Sequence, residues 1–95
     1  YIYIYITAAY SECEKKFNGL DILVNNAGII DKEIRNMEAV NFEGPVRGTE
    51  LAIKKMGKHN GGKGGFVVNI SSIAGLLPFP ILPYYAGTKA ATIQF

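Results

Sequence analysis

The sequence predicts an α/β protein, the central slice of a doubly wound parallel sheet, on two observations. First, short, mainly apolar runs at residues 20–24 and 66–70, each interrupted by one polar residue, both follow a glycine, which is typical of parallel strands buried on both faces. Second, helical patterns precede, separate and follow these runs, giving the order helix, strand, helix, strand, helix. Right-handed crossovers then place the strands side by side in one sheet.

Three helices are expected around these strands. Residues 8–17 form an amphipathic pattern that ends at an Asn-Gly pair. Asp31 is a candidate cap for a long helix over residues 33–58. The third helix begins near Pro83 and continues to the end of the sequence.

The first seven residues differ from the rest. Tyr and Ile alternate over residues 1–6, a pattern with strong β propensity and apolar side chains on both faces. As an exposed edge strand it would be prone to aggregation. We interpret residues 1–7 as an atypical N-terminal segment, with the hypothesis that an in-frame TA repeat encodes it, and residues 8–95 as one partial domain.

Composition excludes several classes of protein. The 95 residues are 48% apolar and 19% charged, which predicts one small globular domain. A net charge of +2 is too mild to indicate a nucleic-acid partner. The single cysteine excludes an internal disulfide and a cysteine-based zinc site, so no metal is expected, and a reduced, cytoplasmic location fits. We predict no membrane span, because no run of about 18 apolar residues occurs.

The most informative feature is the pair Tyr85 and Lys89. Positions four apart share one face of a helix, so the ammonium can lie against the phenol. A cation within about 4–6 Å stabilises a phenolate, which can then exchange a proton with an alcohol or a ketone. Tyr84 lies off this face and is expected to pack or to line the substrate side. Taken alone, such a pair is more often plain surface decoration.

Three further motifs favour the functional interpretation. Asn25-Asn26-Ala27-Gly28 follows the first strand, Asn69-Ile70-Ser71-Ser72 ends the second, and Asn41 lies on the helix between them. Ligands bind beyond the carboxyl ends of parallel strands, so the two strand-end motifs open onto one crevice. In order and spacing this set resembles the classical short-chain dehydrogenase/reductase family, whose fold is Rossmann-like. Within that family, the glycine-rich segment 61–65 before the second strand and residues 83–91 look most like insect-type alcohol dehydrogenases and hydroxyprostaglandin dehydrogenases.

The resemblance implies roles for individual residues. Tyr85 would be the general acid and base, and Lys89 would assist the phenol and bind the ribose of a nicotinamide cofactor. Ser72, thirteen residues before Tyr85, would hold the substrate oxygen, which leaves Ser71 for packing or a backbone partner. The main-chain carbonyl of Asn41 would hold a water that relays protons to the lysine.

Two of these roles keep alternatives open. Pro45 has no N–H to donate to the carbonyl of Asn41, so that carbonyl is expected to be free for a water and the helix to kink, or the kink has no function. Asn25, Asn26, Ala27 and Gly28 would lie beside the adenosine half of the cofactor. Alternatively, the two asparagines only tie neighbouring strands together.

The resemblance implies NAD as cofactor, with NADP not excluded, and an alcohol or ketone as substrate. No glycine-rich G-x-x-x-G-x-G or G-x-G-x-x-G turn occurs, so we expect the N-terminal nucleotide unit and the C-terminal part of the fold to be missing. Leu82 replaces a glutamine usual in hydroxyprostaglandin dehydrogenases, which favours a smaller or more apolar substrate. The resemblance implies that helices 33–58 and 84 onward pair with their copies in a second subunit. The long helix carries a surplus apolar stripe, which supports a homodimer or homotetramer of the full-length parent.

Two alternatives remain beside an oxidoreductase. One is a truncated, catalytically inactive product, and the other is a non-catalytic protein that keeps the dinucleotide fold. Ser72, Tyr85 and Lys89 argue against the latter, because a protein that only binds nucleotide does not need all three.

Overall fold

A computed structural model describes residues 2–95 and confirms an α/β fold with a parallel sheet. Strands β1 and β2 pair in parallel, with Ile22 opposite Phe66 and Asn25 opposite Asn69. In chain order the elements are α1 (Ile2–Phe17), β1 (Ile22–Asn25), α2 (Ile34–Met37), a π-helical segment (Glu38–Glu43), α3 (Gly44–Met56), β2 (Phe66–Asn69) and α4 (Pro83–Gln94). Two short 3-10 turns occupy Lys58–Asn60 and Ile73–Gly75.

Helix α1 includes the Tyr-Ile repeat, so the expected strand character is wrong for residues 2–7, while Tyr1 lies outside the described residues. Alternate isoleucines also recur at a spacing of four, which is one face of a helix. Ile2 and Ile6 use this face and are half-buried, and a Cβ on Gly44 of α3 would lie 3.8 Å from Ile2 Cδ1. Packing against α3 therefore overrides the local β propensity.

The predicted long helix is one helical stretch from α2 to α3, interrupted by the π-helical segment. At its end the N–H of Gly44 donates to the carbonyl of Ala39, five residues back. The next residue, Pro45, has no N–H with which to resume the α-helical pattern at once. The irregularity expected at this proline is therefore a wider turn of the π type.

Only one face of the two-stranded sheet is covered within residues 2–95. Helix α3 packs on that face, and α1 packs beside α3. On the opposite face Ile22 is 56% exposed, Val24 is 51% exposed and Phe66 is 73% exposed. The expectation that both faces are buried is therefore wrong for the described residues.

The interior is mixed in character. Its apolar part lies mainly along α3 and includes Leu51, Ala52 and Met56, together with Met37 just before the π-helical segment. Four polar residues are as deeply buried, and they lie where α4 meets the π-helical segment: Asn41, Thr88, Lys89 and Thr92. Buried polar groups of this kind need hydrogen-bond partners. Their partners define the site described next.

Candidate active site

Tyr85 and Lys89 lie on the same face of α4, as predicted from their spacing. The ammonium nitrogen Nζ of Lys89 is 5.8 Å from the centre of the Tyr85 ring. Tyr85 is half-buried, while Lys89 is only 4% exposed. A cation at this distance is within range of a favourable interaction with the face of the aromatic ring.

The Lys89 ammonium is held between the carboxyl ends of the two strands. It donates a hydrogen bond of 3.2 Å to the carbonyl oxygen of Ile70, which directly follows β2. On the β1 side, a Cβ added to Gly28 would lie 3.0 Å from Nζ. The lysine thus reaches both strand-end motifs, in the crevice that strand polarity predicts.

The side chain of Asn41 joins the loop after β1 to α4. Its Oδ1 accepts from the N–H of Ile29 at 2.7 Å, and its Nδ2 donates to the carbonyl of Ile29 at 2.9 Å. The same Nδ2 donates to Thr88 Oγ1 at 3.1 Å, and Thr88 Oγ1 donates to the carbonyl of Tyr85 at 2.8 Å. With both amide hydrogens and the oxygen engaged, this side chain acts as a structural link beside Gly28.

The main-chain carbonyl of Asn41 has a side-chain donor from α4, which the expectation drawn from Pro45 did not include. Thr92 Oγ1 donates to it at 2.9 Å, and Asn41 as a whole is 1% exposed. A carbonyl oxygen has two lone pairs, so this hydroxyl takes one acceptor position and does not by itself displace the expected relay water. The role of Asn41 in proton transfer stays a prediction.

The two serines after β2 have different surroundings. Ser71 Oγ donates to the carbonyl of Lys89 at 2.7 Å, which is the backbone partner expected for it. Ser72 Oγ accepts from the N–H of Ala74 at 3.1 Å and so caps the 3-10 turn Ile73–Gly75. A hydroxyl that accepts this bond keeps its own hydrogen to donate elsewhere, as the proposed contact with a substrate oxygen requires.

The turn that Ser72 caps is pressed against the centre of α4. A Cβ on Gly75 would lie 2.8 Å from both the carbonyl carbon and the carbonyl oxygen of Lys89. Real Cβ atoms do not approach backbone this closely, so only glycine fits. This packing couples the position of Ser72 to the helix that carries Tyr85.

The Asn25-to-Gly28 motif divides into two parts. Asn25 Nδ2 donates to Asn69 Oδ1 at 2.8 Å and lies 3.2 Å from Thr49 Oγ1, so its amide ties β1 to β2 and to α3. This arrangement supports the structural interpretation of Asn25. Asn26, Ala27 and Gly28 are exposed at the strand end, and their contact with a cofactor stays a prediction.

Sequence reasoning missed Thr88 and Thr92. Both are deeply buried on α4 and both bond to Asn41. A signal was available, because the carbonyl that Pro45 leaves without a helical donor requires some other partner. The chain separations of 47 and 51 residues hide which residue supplies it.

Two side chains away from this crevice, Asp31 and Tyr10, have pKa values that differ from their ordinary ones. Asp31 accepts from the N–H of Glu33 at 2.9 Å and from Asn36 Nδ2 at 3.0 Å, and these bonds, the first above all, lower its pKa. Burial, and then the charges of Glu14 and Cys13, raise the pKa of Tyr10. Asp31 thus forms a turn before α2, whereas the N-cap residue of that helix is Glu33 without a side-chain capping bond, so the predicted helix cap at Asp31 is wrong.

Neither a metal-binding cluster nor a membrane-spanning helix occurs within residues 2–95. The described residues contain no group of three or more His, Cys, Asp or Glu side chains that could hold a metal ion. None of the helices described is long and apolar enough to cross a membrane.

The fold is a parallel α/β sheet with a buried lysine at the carboxyl ends of its strands, which is where doubly wound sheets bind dinucleotides. The sequence profile described as short chain dehydrogenase matches residues 4–95, and the chain belongs to this family.

Known relatives agree with this assignment. The chain is 45% identical over 80 residues to 15-hydroxyprostaglandin dehydrogenase [NAD(+)] of Rattus norvegicus and 41% identical to that of Homo sapiens. Each match covers 83% of this chain and 30% of the relative, so the chain spans about a third of the length of these curated proteins. A solved structure of ElxO, a tyrosine-to-phenylalanine variant with NADPH bound, superposes with a TM-score of 0.84 at 33% identity, covering 97% of this chain and 40% of that one.

Proposed function

We propose that this chain carries the proton-transfer half of an NAD(P)-dependent oxidoreductase that interconverts a secondary alcohol and a ketone. The observation that carries the proposal is the buried Lys89 ammonium, held 5.8 Å from the Tyr85 ring between the two strand ends. In alcohol oxidation the Tyr85 phenolate takes the hydroxyl proton, and in ketone reduction the phenol returns it. Ser72 donates to the substrate oxygen as its charge changes.

The residues at the strand ends fit a nicotinamide dinucleotide. Lys89 has three N–H groups, of which one donates to Ile70 among the described residues, so two remain for ribose hydroxyls. Gly28 presents no side chain beside this ammonium, which leaves backbone open to a ligand. When bound, the cofactor would supply the acceptor or donor of the hydride.

NAD is favoured over NADP as the cofactor. The rat and human relatives are named as NAD(+) enzymes, whereas the ElxO structure holds NADPH. The higher identity to the former supports NAD, with NADP as the alternative.

The substrate proposed is a small molecule with an apolar body. The segment between Ser72 and α4 is rich in exposed apolar side chains, among them Leu76, which is 70% exposed, and Ile81, which is 82% exposed. Leu82 immediately precedes α4 and adds no hydrogen-bond donor to this rim. Alcohol dehydrogenase activity in the cytoplasm is the specific form of the proposal.

The proposal includes a homodimer or homotetramer of the complete enzyme. On the long helical stretch Ile53 is 49% exposed and Phe42 is half-buried, and on α4 Tyr84 is 59% exposed and Ile93 is 47% exposed. Apolar side chains on two neighbouring helices are suited to pairing with the same helices of a second subunit.

A chimaera tests the proposed function. Residues 2–95 would replace the matching segment of rat 15-hydroxyprostaglandin dehydrogenase, and NAD reduction by a series of secondary alcohols would be followed spectroscopically. Tyr85→Phe should lower turnover at least about a hundredfold while nucleotide affinity is kept, because only proton transfer is removed. Tyr84→Phe is the matched control. A folded, nucleotide-binding chimaera without turnover, or equal losses in both variants, would contradict the proposal.

A further inference from the structure

Pro45 creates an unusual requirement inside the long helical stretch. In an α-helix the N–H of residue 45 would donate to the carbonyl of Asn41, but proline has none. The N–H of the preceding residue, Gly44, donates to the carbonyl of Ala39, so it does not reach Asn41 either. Asn41 is 1% exposed, so its carbonyl oxygen is buried and would be costly to leave without a donor.

Thr92 supplies that donor from a different helix. Its Oγ1 lies 2.9 Å from the carbonyl oxygen of Asn41 and 3.0 Å from the carbonyl oxygen of Thr88. A hydroxyl has one hydrogen, so the two carbonyls share it. The bond to Thr88 is an ordinary bond back to the preceding turn, whereas the bond to Asn41 joins α4 to the π-helical segment.

The two threonines hold α4 on both sides of the functional lysine. Thr88 accepts from the Asn41 side chain and Thr92 donates to the Asn41 main chain. Lys89 lies between them in sequence. Because Asn41 also bonds both backbone groups of Ile29, the residue after Gly28, the same asparagine fixes the helix and the loop that the lysine spans.

We propose that Thr92 is a positioning residue for the Tyr85–Lys89 pair, and that its hydroxyl replaces the helical donor that Pro45 removes. The proposal rests on the proposed function. Loss of the hydroxyl would let α4 shift relative to the loop after β1. The ammonium would then lie less well placed against Tyr85, while the remaining contacts preserve the fold.

The contact itself is tested in the chain of 95 residues by hydrogen exchange. Thr92→Val keeps the shape of the side chain and removes the hydroxyl, whereas Thr92→Ser keeps the hydroxyl. The amide of Ile29, which donates to Asn41, should exchange about three- to tenfold faster in the valine variant and near the original rate in the serine variant. Thr7→Val is the control, because Thr7 makes only an exposed bond within α1. Unchanged exchange in Thr92→Val would overturn the proposal.

The consequence for catalysis is tested in the rat chimaera. Thr92→Val should lower kcat about three- to tenfold with little change in KM for NAD, and Thr92→Ser should restore it. Equal kcat in all variants, or a parallel loss in Thr92→Val and Thr92→Ser, would overturn the positioning role. An inactive chimaera with original Thr92 would instead refute the proposed function, and the exchange result would still decide whether Thr92 holds Asn41.

Discussion

The crevice around Lys89 and the outer face of the sheet differ in which side chains are buried: polar ones are buried in the crevice, whereas apolar ones are exposed on the sheet. In the crevice, Asn41, Thr88, Lys89 and Thr92 are all at most 8% exposed, and each has a hydrogen-bond partner. On the outer face, apolar side chains such as Phe66, at 73% exposure, contribute little to the interior. The polar groups at the site are therefore more fully engaged than the apolar groups of the strands that support them.

This difference teaches which interactions set the geometry of the site. Hydrophobic burial is roughly proportional to area and has no preferred direction, whereas hydrogen bonds fix distances and angles. The geometry of the crevice depends on hydrogen bonds. Substitutions there should be costly even when they are apolar and of equal size, and the following predictions test this contrast.

The largest effect is expected for Asn41→Leu. The new side chain has the same number of heavy atoms and the same branching, but it leaves the N–H and carbonyl of Ile29 and the hydroxyl of Thr88 without their Asn41 partner. Urea unfolding should show a loss of about 2–4 kcal/mol. Asn36→Leu, at an exposed position bonded to Asp31, should cost less than about 1 kcal/mol. Similar losses for the two variants would remove the contrast between the regions.

Two glycine-to-alanine substitutions compare a position where an added Cβ has no room with a position where it has. A Cβ on Gly48 of α3 would lie 2.5 Å from Asn25 Oδ1, so Gly48→Ala should cost about 1–3 kcal/mol through displacement of the asparagine. A Cβ on Gly87 of α4 would meet nothing within 4 Å. Gly87→Ala should therefore stabilise the chain by about 0.5–1 kcal/mol, by thermal or urea unfolding. A neutral Gly48→Ala would show that Asn25 does not fix this packing.

Tyr10 offers the reverse test, outside the crevice. Its hydroxyl is buried and has no hydrogen-bond partner among the described residues, unlike the polar groups at the site. Tyr10→Phe removes this group and keeps the ring, so stability should be unchanged or rise by up to about 1–2 kcal/mol. A clear destabilisation in urea unfolding would mean that the hydroxyl has a partner, and the contrast between the regions would weaken.

The smallest effect concerns pH. The pKa of Asp31 is lowered in the folded chain, first by the N–H of Glu33, so its carboxylate contributes stability above the unfolded pKa of about 4. That contribution is lost as the pH falls through the lowered folded pKa. Asp31→Asn should reduce the dependence of the urea midpoint on pH in this acid range only slightly, because the carboxyl is exposed. If Asp31→Asn instead lowered the urea midpoint above neutral pH, this assignment would be contradicted.

Much of the fold could be predicted from local pattern. The apolar runs gave both strands, and the Asn-Gly pair and Asp31 lie at the observed turns. The β propensity of the Tyr-Ile repeat did not predict its helical structure. Residues that alternate along a strand also recur every four positions, and that spacing fits one face of a helix. Ile2 and Ile6 use that spacing to pack as a helix.

At the candidate site, the shared face of two residues was predictable from the sequence, but the hydrogen bonds around them were not. The spacing of Tyr85 and Lys89 gave their shared face. Thr92, the partner of the Asn41 carbonyl, and Thr88, one partner of its side chain, lie on α4, 51 and 47 residues away, and no local pattern pairs them. Pro45 showed that a donor was missing, and tertiary packing alone decided that Thr92 supplies it.

The central claim is that Lys89 both supports the Tyr85 phenolate and binds the cofactor. The most direct measurement compares turnover with NAD affinity, by titration calorimetry, for Lys89→Met in the rat chimaera. Removing the ammonium while keeping a long side chain should weaken NAD binding and turnover together, each by about tenfold or more. A variant with reduced turnover and unchanged NAD affinity would contradict the ribose-binding role of Lys89.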